Sequence, residues 1–103
     1  LGGIAALSGY LPLKEKLTDS VKSKLANMPI FMTHGLYDNV IDIQIADSSF
    51  KKLLRKFNSV SFLKYPMGHE VCEKEIDDLS IFLNQSFFRR YKTILILHQI
   101  DPI

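Results

Sequence analysis

Apolar residues in this chain follow two rhythms. They gather in short runs, Ile4 to Ser8 and Pro29 to His34, with a third, Val60 to Tyr65, interrupted by Ser61 and Lys64; these are closed by Gly9, by Gly35 and by the turn Pro66-Met67-Gly68. All three read as strands, and Ile4 to Ser8, small and apolar throughout, as one buried on both faces. Between them, apolar positions recur at three- and four-residue steps. Leu17, Val21 and Leu25 predict a two-turn helix, with Thr18 or Asp19 available as N-cap. Ile45, Ala46, Phe50, Leu53, Leu54 and Phe57 predict a second helix over Gln44 to Phe57, with Lys51, Lys52, Arg55 and Lys56 on its outer face. Ile76, Leu79, Phe82, Leu83 and Phe87 predict a third over Glu70 to Phe88. Its acidic residues Glu73, Glu75, Asp77 and Asp78 are expected to face outward near the start, where they favour the helix dipole.

The resulting order is β-α-β-α-β-α, an α/β fold of about three parallel strands joined by right-handed helical crossovers. Ligands of such sheets bind outside the carboxyl ends of the strands. Two residues of interest fall there. Asp38 follows the strand that ends at His34, and His69 follows the strand that ends at Tyr65. A carboxylate and an imidazole are the acid and base of hydrolytic triads. The third member is not in view, because no G-x-S-x-G turn occurs in the 103 residues.

Composition narrows the setting. At 47% hydrophobic and 23% charged the chain is built to fold around a core. A net charge of +2 is too small for a nucleic-acid footprint. The single cysteine, Cys72, forms no internal disulfide, so a reducing cytoplasm is the expected setting. No Cys/His spacing suggests zinc, and no metal or other cofactor is expected. No apolar run is long enough for a transmembrane helix. The chain opens on Leu1, directly into a strand, which reads as a start cut from something longer.

Three segments carry a family resemblance: Leu1-Gly2-Gly3-Ile4-Ala5-Ala6-Leu7-Ser8-Gly9-Tyr10-Leu11-Pro12, His34-Gly35-x-x-Asp38-x-Val40, and Tyr65-Pro66-Met67-Gly68-His69-x-Val71-Cys72. Together they resemble the carboxyl-terminal part of the carboxylesterase, lysophospholipase and acyl-protein thioesterase family of α/β-hydrolases. The resemblance runs from Leu1 to about Phe87. It implies a serine hydrolase of acyl esters or thioesters, with Asp38 as triad acid, His69 as general base, and Tyr10 and Leu11 lining the acyl pocket. It also places the family's G-F-S-Q-G-G nucleophile turn roughly two dozen residues before Leu1. With that turn and the oxyanion loop absent from these residues, the expectation is no ester hydrolysis by this chain alone. Asp42 stands where the family usually has proline, and the stretch from Tyr91 to Ile103 lies beyond the family's usual end.

The chain is accordingly divided into residues 1–88, the carboxyl-terminal portion of a hydrolase domain, and a tail, 89–103, with no assigned role. Thr93 to Leu97 in the tail has strand character. A second reading is a non-catalytic remnant that self-associates, because Ile4 to Leu7 without upstream strands would be an open sheet edge. Other residues have plainer readings. His34 is read as a packing or hydrogen-bonding residue, Cys72 as too near His69 in sequence to face it productively, and the basic helix face as solvated.

Overall fold

A computed structural model describes residues 3–8, 26–87 and 94–98. The elements are β1 (Gly3–Leu7), β2 (Ile30–Gly35), α1 (Ile43–Leu54), β3 (Val60–Tyr65), α2 (Glu73–Phe87) and β4 (Ile94–His98). The four strands form one sheet in the order β3-β2-β1-β4, and every neighbouring pair is parallel. The predicted helix around Leu17 to Leu25 lies outside the described residues.

Alternation along the central strands divides the core between the two faces of the sheet. Ala5, Leu7 and Phe31 point to one face and pack with Leu79, Phe82 and Leu83 of α2. Phe31 and Phe82 stack there with ring centroids 5.1 Å apart. Ile4, Ala6, Ile30 and Met32 point to the other face and meet Phe50 and Leu53 of α1, together with Phe57. Every residue of β2 is buried, as expected of a parallel strand covered on both sides. Each large aliphatic or aromatic side chain enclosed this way stabilises the fold by about 1.5–3 kcal/mol relative to an exposed one.

The helices differ from expectation in ways that matter for the site. Helix α1 starts at Ile43 because Asp42 caps it, accepting the Gln44 N–H at 2.8 Å. Asp42 therefore has a local task. Helix α2 starts at Glu73, three residues later than the periodicity suggested, because Glu70 folds back on the turn before it. Its backbone N–H donates to the Gly68 carbonyl at 3.0 Å, and its carboxylate accepts from Gly68 N–H at 3.3 Å.

The buried stripe of α2 also differs from expectation at its edge. Glu75, expected outside, is fully buried on the row that continues through Leu79 and Phe82, while Ile76 is exposed. Among the described residues, neither carboxylate oxygen of Glu75 has a hydrogen-bond partner. Asp78 is partly enclosed too, accepting the Tyr65 hydroxyl at 2.7 Å and the Lys74 ammonium at 3.1 Å. Burial and this bond push the Tyr65 phenol far above its ordinary value, while the Tyr65 hydroxyl and Lys74 hold the Asp78 carboxyl below its own.

The fourth strand corrects the expectation of an open edge at β1. Residues 94–98 pair along it from Gly3↔Ile94 to Leu7↔His98, so self-association through that edge finds no support. The strand-like run of the tail supplies this partner. No helix among the described residues is long and apolar enough to cross a membrane.

Candidate active site

The carboxyl ends of β1, β2 and β3 lie side by side, and the loops that leave them build one cluster. The β2 and β3 loops are tied through backbone bonds: Leu36 N–H to the Tyr65 carbonyl at 2.8 Å and Tyr37 N–H to the Met67 carbonyl at 3.0 Å. This close approach requires Gly35. A Cβ there would overlap the carbonyl oxygens of Met67 and Gly68. The glycine that ends β2 is thus also what lets the loop carrying Asp38 lie against the loop carrying His69.

Asp38 and His69, 31 positions apart, meet in this cluster. The ring Nδ1–H of His69 donates to Asp38 Oδ2 at 2.7 Å. The other oxygen, Oδ1, accepts the backbone N–H groups of Val40 at 2.8 Å and Ile41 at 2.9 Å, an Asx-type turn that fixes the carboxylate plane. Burial alone would raise the Asp38 carboxyl. The Ile41 N–H, the His69 ring and the Val40 N–H outweigh it and hold the group below its ordinary value. With its proton held at Nδ1, the neutral His69 ring carries its basic lone pair on Nε2, the arrangement of a general base oriented by a carboxylate.

Two further residues brace the pair. His34, fully buried at the end of β2, reaches the Ile41 carbonyl with Nε2 at 2.7 Å, and the same nitrogen lies 3.3 Å from Asp38 Oδ2. Ser8, directly after β1, adopts a left-handed backbone with φ 55°. This is a strained conformation for a residue with a side chain. Its N–H bonds the Thr33 carbonyl at 3.0 Å and its hydroxyl donates to the Glu70 carbonyl at 3.2 Å, next to His69. Sequence reasoning gave His34 only a structural role and did not consider Ser8. The available signals were the four-residue spacing from His34 to Asp38 and the position of Ser8 at a strand end.

Tyr10 and Leu11 lie outside the described residues. Cys72 is a free, half-buried thiol before α2. It borders an open groove of about 580 Å³ together with Tyr65, Pro66, Glu73, Lys74 and Asp77. Lys51, Lys52, Arg55 and Lys56 are exposed on α1 and the turn after it.

With the site's geometry described, comparison with known proteins is informative. The sequence profile of the phospholipase/carboxylesterase family matches residues 1–87. The chain belongs to that family. Among curated members of the phospholipase/carboxylesterase family, acyl-protein thioesterase 1 of Aspergillus fumigatus is 37% identical over 89 residues, covering 82% of this chain and 37% of the relative. Acyl-protein thioesterase 1 of Neurospora crassa is 38% identical over 88 residues, covering 82% of this chain and 36% of the relative. The crystal structure of Zea mays acyl-protein thioesterase 2 superposes with a TM-score of 0.72 at 24% identity, over 82% of this chain and 40% of that one. The fold is therefore shared, and this family member spans under two fifths of the length of these two curated relatives.

Proposed function

We propose that this chain supplies the acid and base of a serine hydrolase acting on carboxylic esters or thioesters of acyl groups. The observation that carries the reading is the 2.7 Å bond from His69 Nδ1 to an Asp38 carboxylate whose second oxygen is already held by two backbone N–H groups. Such a carboxylate cannot rotate away. It holds the imidazole in one tautomer and stabilises the imidazolium that forms when Nε2 takes a proton from a hydroxyl nucleophile. The same nitrogen then returns the proton to the leaving alkoxide or thiolate. Acyl-protein thioesters, lysophospholipids and simple esters are the substrate classes that the family resemblance suggests, and the single free cysteine fits a reducing compartment such as the cytoplasm.

The nucleophile must come from elsewhere. No serine of the chain sits in a G-x-S-x-G turn, and Ser8, near the site, donates its hydroxyl to the Glu70 carbonyl. Because triad members act as a unit, the 103 residues alone are expected to turn over no ester. The decisive test is a chimera in which residues 1–87 replace the segment they match in the Aspergillus fumigatus thioesterase. The expected result is hydrolysis of a short-chain p-nitrophenyl ester that falls by about 10³-fold or more in His69→Ala. A folded chimera that hydrolyses nothing, or one indifferent to His69, would sink the proposal.

A further inference from the structure

We infer that His34 is a positioning residue that holds Asp38 in register with His69. This rests on reading those two residues as a working acid and base. The Ile41 carbonyl can only accept, so at 2.7 Å the proton must sit on His34 Nε2. The residue this bond holds, Ile41, is also the one whose own N–H grips Asp38 Oδ1 at 2.9 Å. A line of contacts therefore runs from the end of β2 through the His34 ring, the Ile41 backbone and the Asp38 carboxylate to the His69 ring.

The same Nε2–H lies 3.3 Å from Oδ2, the oxygen that receives His69, so its dipole adds a second positive edge beside that lone pair. His34 shares the α1 face of β2 with Ile30 and Met32, at a position that an apolar side chain could fill. An imidazole there leaves Nδ1 buried with no hydrogen-bond partner among the described residues. An unpaired buried polar atom is costly. Filling space does not account for accepting that cost, whereas the two contacts made by Nε2 do.

The test uses the 103-residue chain and nuclear magnetic resonance, with no need for turnover. In the native chain, nitrogen shifts are expected to place the His34 proton on Nε2. An Nδ1–H tautomer would overturn the proposal, and this measurement stands whether or not any variant folds. His34→Phe keeps an aromatic ring without a donor. It is expected to speed solvent exchange of the His69 Nδ1 proton by about tenfold or more and to move the Asp38 carboxyl titration upward. His34→Gln, which can again offer an N–H, is expected to restore both. A folded His34→Phe chain with both signals unchanged would reduce His34 to packing. These signals report the pair directly, so a chimera without esterase activity would defeat the catalytic reading and leave this one intact.

Discussion

Two buried carboxyl groups, on loops and helices of the same small sheet, are treated in opposite ways. Asp38, after β2, accepts two backbone N–H groups and one ring N–H, with a second imidazole 3.3 Å away. Glu75, in the first turn of α2, is as deeply enclosed, yet neither of its oxygens has a hydrogen-bond partner among the described residues. Burial of an ionisable group is thus a poor guide to function in this molecule. The supply of donors is the better one, because a carboxylate held by several N–H groups keeps both its charge and its direction.

The contrast can be broken from either side, and the largest effect is expected at Asp38. Asp38→Ala leaves the Val40 and Ile41 N–H groups and the His69 ring N–H without their acceptor. Urea denaturation should show a loss of about 3 kcal/mol, provided the chain unfolds in a single transition. Gly35→Ala comes next, at about 2 kcal/mol, because the new methyl group must push apart the two loops that bring Asp38 and His69 together. It should also lengthen the 2.7 Å bond, which would appear as a weakened His69 Nδ1–H signal.

The opposite sign is expected at the other carboxyl. Glu75→Leu removes an unsatisfied polar group from the face shared with Leu79 and Phe82. It should raise stability by about 1 kcal/mol, and a clear loss instead would mean that Glu75 has a partner in the folded protein in solution. The smallest effect is the pH dependence. Asp38 has its carboxyl held below the ordinary value of 3.8, so its contribution is fully present above that pH and disappears as pH falls through the lower value in the folded state. The native chain should therefore lose stability on acidification below about pH 4 more steeply than Asp38→Asn, as read from thermal midpoints.

Much of this was legible in the residues. The apolar runs that became β2 and β3 each end at a glycine or proline turn, and the polar group just beyond each run is a member of the pair at the site. Their bonding distance follows from parallel pairing of adjacent strands, which aligns His34 with Lys64 and Gly35 with Tyr65. What periodicity could not supply was the rotation of α2 about its own axis. Ile76 looks like a core residue and Glu75 like a solvated one, yet Glu75 is the one enclosed, on the row of Leu79 and Phe82 that periodicity did place inward. The role of His34 was hidden for a related reason. Its importance lies in a bond to a backbone carbonyl seven positions away, and side-chain patterns do not record backbone acceptors. The strand character of Thr93 to Leu97 was legible, and that run was an available cover for the β1 edge, but local character identifies a strand and does not fix its neighbour.

That last pairing has a consequence for how the molecule is made. β1 is made well before its outer partner: the strand that covers this edge spans residues 94–98, and the register matches residue 3 with residue 94. Contacts this distant in sequence form slowly, because so much chain must be ordered before they can close. Until residues 94–98 dock, this edge of β1 is without that partner, and an open strand edge is a template for pairing with another strand. Closure of the sheet therefore waits on the strand that comes last among the described elements.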